Sequence, residues 1–439
     1  MMNAKTIKIA IGALLTMSVL TVRADQQDDG YLRQVFDQGI RFTDKIEFPG
    51  TIGAAGDPVV GQGQFGLSAD GQSIDTTRGG IIDGVSIIAG QIHPNGRVCA
   101  SCHRPDAGLF LGLPSHLPLS DVIPMSDPFF SGIDADAQGE PLAFDMLNDF
   151  GLTHHVAGRF NPILPADSPF KQVFFWRKTQ HIINTVFTFG FLNEGRARDM
   201  TELTRGAMFT HTQTGNARFD DLANPLLNNV AAFMEQQIDP PELKALLNPN
   251  DPMYQTLVTD PFYTVAATTR LEKRGQKVFA SACMSCHNMP NVFSNRDHVD
   301  GPPLNFAPHV GHAMDIGVAQ ANMLKLEFRR YDAATGQRVP VVLPLTRQDG
   351  VIVNYTVTDD VGEAAATGRY EDLHRFKIPQ LRHIAALGPY FHDNSVSTLE
   401  GVVQYFNSPA YNDSPDGRMH PIHLSASEQQ ALLAFLNIL

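Results

Sequence analysis

All four cysteines of the chain fall in two copies of one pattern. The first copy is Cys99-Ala100-Ser101-Cys102-His103 and the second is Cys283-Met284-Ser285-Cys286-His287. Cys-x-x-Cys-His is the spacing that attaches a c-type haem: the two thiols add across the vinyl groups as thioethers, and the adjacent His becomes the proximal iron ligand. A redox dithiol lacks that His, and a four-cysteine zinc site has no need of it. The pattern predicts two covalent c-type haems on Cys99, Cys102, Cys283 and Cys286, with His103 and His287 on the irons. No thiol is left for a disulfide.

The N-terminus agrees with this chemistry. Lys5 and Lys8 precede a mostly apolar run from Ile9 to Leu20, and Val22-Arg23-Ala24 resembles a small-x-small cleavage site. Residues 1–24 therefore read as a secretory signal peptide. The apolar run is shorter than the ~20 residues that span a bilayer, and no later segment is apolar enough to do so. Covalent haem is attached outside the bacterial cytoplasmic membrane, so the expected location is the periplasm. Composition is that of a globular protein, 43% hydrophobic and 18% charged, and 439 residues are enough for two or three domains. A net charge of -13 disfavours nucleic acid and anionic lipid as partners and is compatible with a basic redox protein.

The motifs divide the chain into a haem domain over residues 25–230, a linker over 231–264 and a second haem domain over 265–439. Asp239-Pro240-Pro241 and Asn248-Pro249-Asn250-Asp251-Pro252 interrupt the linker. Helical periodicity is clear in Leu271–Ala282 and Ser427–Leu439, and the expected class is mainly α, with two cytochrome c-like domains. Residues 111–170, rich in Pro, Ser and Asp, read as an irregular insertion in the first domain. In the second, Val341-Val342-Leu343 and Val351-Ile352-Val353 flank Arg347-Gln348-Asp349-Gly350, a hairpin signal that reads as a small surface insertion. An internal repeat is also visible: the turn Leu192–Met200 matches Phe391–Leu399, with Gly195 and Asn394 suited to positive φ and Asp199 and Thr398 suited to cap a helix.

With two haem motifs and this repeat, the chain resembles the bacterial dihaem cytochrome c peroxidase and MauG superfamily. The resemblance covers roughly residues 60–439. It is strongest in Arg375-Phe376-Lys377-Ile378-Pro379-Gln380-Leu381-Arg382, in Gly388-Pro389-Tyr390-Phe391-His392-Asp393 and in Thr398-Leu399-Glu400, with Asn184 and Glu194-Gly195-Arg196 in the first half. It implies that the N-terminal haem reacts with hydrogen peroxide and that the C-terminal haem supplies or stores an electron. A small cytochrome or cupredoxin would give the electrons, or a partner protein would be oxidised in MauG fashion. A non-catalytic dihaem electron carrier is the alternative, since six-coordinate haems only pass electrons.

Departures from the family pattern bear on the chemistry. The bridging Trp of the peroxidases falls at Asn193, and the chain's single Trp, Trp176, reads as core. The glutamate that moves protons falls at Gln213, which cannot exchange a proton, so His211 is expected to do that work while Gln213 orients peroxide. The family's calcium ligand, an Asn following an Arg, falls at Lys178, which offers no oxygen and makes calcium doubtful. The first iron is expected to be open, with His116 as the alternative sixth ligand. For the second, strict counting gives Phe406, which cannot bind iron. Tyr405 ranks ahead of Met419; a phenolate would lower the iron potential and a thioether would raise it.

Overall fold

A computed structural model of the chain describes residues 118–156, 174–211, 234–295 and 313–439, apart from a few positions within them, together with Cys102, His103, Leu111 and the backbone of a hairpin at Gly80–Ile87. The signal peptide, Cys99, His116 and Gln213 lie outside the described residues. The longer helices are α1 (Met200–His211), α2 (Arg270–Ala282), α3 (Leu399–Phe406) and α4 (Ala426–Leu436). The strands are β1 (Gly80–Ile82), β2 (Val85–Ile87), β3 (Leu152–Val156), β4 (Phe174–Lys178), β5 (Ala313–Met314), β6 (Arg329–Asp332), β7 (Gln337–Pro340), β8 (Val342–Thr346), β9 (Ile352–Thr356) and β10 (Phe376–Lys377). They pair as five two-stranded antiparallel sheets: β1–β2, β3–β4, β5–β10, β6–β7 and β8–β9.

Helices and small hairpins thus share the fold, a correction to the expectation of a mainly α chain with one hairpin. The predicted hairpin is β8–β9, closed by Arg347–Val351 with Gly350 at φ 82°. It is not a surface insertion. Burial alternates along β8, so Leu343 and Leu345 turn inward with Val341 and Val357. They join Leu152, Phe175 and Trp176 from the first half in one hydrophobic core. Trp176 is a core residue, as expected; its ring stacks on His154 at 3.6 Å and its Nε1 donates to Glu327 O at 3.3 Å. Residues 111–170 also differ from the irregular insertion expected. Their described part holds a helix, Asp145–Phe150, ended by Gly151 at φ 63°, and the fully paired strand β3. Residues 231–264 carry the helical segments Pro241–Leu247 and Tyr254–Thr259, with Leu243 and Leu257 fully buried.

The second haem motif rides on a helix pair. Capping boxes at Thr269/Glu272 and Ser425/Glu428 start α2 and α4. Where the helices cross, a Cβ on Gly275 would lie 1.9 Å from Ala431 O, so only glycine permits the approach. Phe279 and Phe435 then meet with ring centroids 5.4 Å apart.

The repeat is present in the backbone. Leu192 and Phe391 both take positive φ (74° and 66°), as do Gly195 and Asn394 (76° and 56°) and Asn184 and His383 (61° and 60°). Phe191 bridges Ala197 as Tyr390 bridges Val396, and Asp199 and Thr398 cap α1 and α3 through Glu202 N and Gly401 N. The two copies also exchange bonds. Lys178 N donates to His392 O (2.6 Å), and Lys377 N donates to Asn193 O (2.8 Å). His181 and Gln380, counterparts in the repeat and 199 residues apart, meet each other at 3.1 Å. The halves are therefore related by an approximate two-fold axis passing near His181 and Gln380.

Gly275→Ala is expected to reduce stability by about 1–3 kcal/mol through overpacking of the α2–α4 crossing. Denaturant unfolding measures the change, and an unchanged midpoint would contradict the close approach.

Candidate functional site

Cys102 and His103, half-buried, line a cavity of about 340 Å³. Its walls come from both halves. β3 contributes His155, β4 ends in Lys178 and is followed by His181, α1 contributes Leu203 and His211, and the second half contributes Lys377, Gln380 and His392. Most of the lining is apolar or neutral, as a haem-sized planar ligand with a reactive face needs. His211, expected to act on protons, is thus placed in the same cavity as His103.

His155 is a residue the sequence reading passed over as a surface loop histidine. It is buried at 7% exposure, and its ring centroid lies 5.6 Å from that of His211 in an edge-on contact. Burial, and then the neighbouring His211, Arg196 and Arg177, hold its pKa well below the ordinary 6.5. His155 is therefore neutral at working pH, with a nitrogen able to accept a proton. His154, on the other face of the strand, is structural: its Nδ1 donates to Ile133 O (2.8 Å) and its ring covers Trp176.

Behind the cavity lies a buried ionic cluster. Arg177 forks onto Asp360, with Nε to Oδ2 at 2.5 Å and Nη2 to Oδ1 at 2.7 Å, and also donates to Glu194, which Arg196 grips from the other side. Two guanidinium groups and two carboxylates leave the cluster neutral. Burial works to raise both carboxyls, but Arg177, joined at Glu194 by Arg196, outweighs it and holds them below 3.8 and 4.5. The Glu194-Gly195-Arg196 element is therefore a positioning device for the wall that carries Asn193. No aromatic stands at Asn193; the aromatic pair nearby is Phe376 stacked on His392, centroids 3.9 Å apart.

At the second motif, Cys283 and Cys286 are half-buried and form no disulfide. His287 Nδ1 donates to Phe293 O at 2.8 Å, a bond of the kind that orients the ring of an iron ligand. The residues present fit a covalently attached haem. Tyr411 beside them is pushed up to about 12 by burial and by Cys286 and Cys283. Tyr405 is buried, donates its Oη to Ile316 O (2.7 Å) and meets Phe391 edge-on at 4.9 Å. Met419, the other candidate ligand, is 71% exposed.

No family model matches the chain. The cytochrome-c peroxidase IdrP2 of Denitromonas iodatirespirans is 26% identical over 325 residues, covering 69% of this chain and 80% of that protein. IdrP2 of a Pseudomonas species is 30% identical over 173 residues, 39% of each chain. The chain is thus similar to the cytochrome c peroxidases of the dihaem and MauG type. It is a peroxidase-like oxidoreductase. The methylamine utilization protein MauG of Methylophilus methylotrophus is 37% identical over 67 residues, 15% of this chain and 20% of its own. Among solved structures, a MauG-like protein associated with microbial copper homeostasis aligns over 79% of this chain and 83% of its own at 15% identity, with a TM-score of 0.40.

Arg177→Met leaves Glu194 and Asp360 without their shared partner in the interior, and stability is expected to fall by about 3–5 kcal/mol. Because both carboxyls are depressed in the fold, what they contribute is complete above pH 4.5 and is lost as pH falls below it. Denaturant unfolding of wild type and variant at pH 7 and pH 3 measures both effects; a gap between them as large at pH 3 as at pH 7 would contradict the assignment.

Proposed function

We propose that the chain is a periplasmic enzyme carrying two c-type haems, one in each cytochrome c-like half, and that it reduces hydrogen peroxide at the first haem. One observation carries this reading: the cavity that exposes Cys102 and His103 also holds His155 and His211, two histidines whose rings touch. The haem on His103, when bound, supplies the iron at which peroxide takes up two electrons.

The chain's own residues supply what remains. Reduction of one peroxide to two waters consumes two electrons and two protons. His211 takes a proton from the bound peroxide and returns it to the departing oxygen, as general base and then general acid. His155, held neutral by burial and edge-on to His211, orients that ring. Gln213, two residues beyond His211, orients the peroxide through its amide. The apolar lining, including Leu203 and Met234, keeps bulk water out of the reaction.

Electrons enter through the second half. Cys283, Cys286 and His287 would hold the second haem, and Tyr405 is a candidate further ligand, a role in which it would give up its bond to Ile316 O. A small cytochrome or cupredoxin is the donor, and its encounter is helped by the opposite charge of a basic partner. Exported location rests on the signal-like first 24 residues. Among the described residues no helix is long and apolar enough to cross a membrane.

The test is peroxide-dependent oxidation of a reduced small c-type cytochrome by the purified holoenzyme. Wild type is expected to turn over, and His211→Ala is expected to lose about 10²–10⁴ in kcat/KM for peroxide. Unchanged kinetics in the variant would overturn the role of His211. Peroxide consumption that leaves the donor reduced but oxidises an added partner protein would point to the MauG-like branch. Absence of any peroxide reaction would leave an electron carrier.

A further inference from the structure

The family resemblance implies a calcium ion between the two halves, and the residues at that place do not fit one. The position of the expected oxygen ligand is Lys178, and its ammonium already faces the carbonyl oxygens that converge there. Lys178 Nζ donates to Leu387 O and to Pro389 O, two main-chain carbonyls of the turn in the opposite half. The same nitrogen lies 5.8 Å from the centre of the ring of Tyr390, the residue that follows Pro389. At its other end, Lys178 N donates to His392 O at 2.6 Å, so both ends of the residue are tied across the junction.

We infer that the Lys178 ammonium is the resident cation of the junction between the halves, and that it makes calcium unnecessary and unwelcome there. Two carbonyls converging on one point, with an aromatic face alongside, form an oxygen-lined cation site. An ammonium fills it with three N–H donors and no requirement for six to eight oxygens. A divalent ion placed there would meet a fixed like charge.

The repeat supports the assignment independently. Lys377, the counterpart of Lys178, reaches across in the opposite direction and donates Nζ to Thr188 O at 3.0 Å. Thr188 and Leu387 occupy equivalent positions of the repeat. Each half therefore presents the same turn carbonyl to a lysine of the other, and Lys178 differs in capturing a second carbonyl as well. Burial pulls Lys178 toward about 7, while the two carbonyls and the Tyr390 face favour the charged form. The assignment does not depend on which substrate enters the cavity.

The experiment compares the holoenzyme with Lys178→Asn and Lys178→Met by calorimetric titration with calcium chloride, and by thermal melting in excess calcium and in excess chelator. Wild type is expected to give no saturable calcium heat and the same melting point in both conditions. K178N removes the charge and supplies an amide oxygen; it is prepared in calcium and is expected to bind one calcium ion and to melt several degrees lower once chelator is added. K178M removes the charge without supplying an oxygen and is expected to melt below wild type in both conditions. Calcium uptake by wild type with a rise in melting point would overturn the inference. So would a K178N protein that folds and takes up no calcium, or one that folds in neither condition.

Discussion

A guanidinium with no access to water has to be neutralised where it stands, and Arg177 meets that demand by reaching three parts of the chain at once. It comes from β4, grips Asp360 in the segment that follows β9, and grips Glu194 in the turn that precedes α1. A buried ion pair is weak as a source of stability but strong as a source of register, since any displacement strands a charge in the interior. The cavity wall depends on that register. His155 lies on β3, bonded to β4, and His211 ends the helix that Asp199 caps five residues beyond Glu194. Moving Arg177 would move both histidines relative to His103.

The second level of organisation is the approximate two-fold. The halves do not simply abut; they exchange backbone bonds at Lys178 and Lys377 and side-chain bonds at the same residues. This makes the junction a shared structure in which the cavity, the lysines and the His181–Gln380 contact belong to neither half alone. Peroxide chemistry that draws electrons from a distant centre benefits from such a junction, because it fixes the separation and orientation of the two motifs. The aromatic pair Phe376–His392 lies in this junction, on the side contributed by the second half.

How much of this was legible in the sequence varies with the physical origin of each feature. Covalent chemistry dictates the spacing of Cys283, Cys286 and His287, so the attachment site is readable without any fold. The repeated turn was readable at Gly195 and Asn394, whose types tolerate positive φ, but not at Leu192 and Phe391, which adopt it because tertiary contacts impose it. The β8–β9 hairpin announced itself through Asp349-Gly350. Its place in the main core did not, since that depends on which surface it meets. β3 was hidden because Thr153, His154 and His155 read as polar loop residues, and their partners in β4 lie about twenty residues on. For the same reason the place of His155 in the cavity was not legible, whereas His211 was singled out by its spacing from the Glu194-Gly195-Arg196 element.

In the proposed function the two haem sites are unequal, with an open iron at His103 inside the histidine-lined cavity. Electron paramagnetic resonance of the oxidised and half-reduced holoenzyme, before and after cyanide or one equivalent of peroxide, tests it directly. One high-spin ferric signal is expected beside one low-spin signal, with the high-spin signal alone lost on adding either ligand. Two low-spin signals in both redox states, unchanged by cyanide and by peroxide, would contradict it.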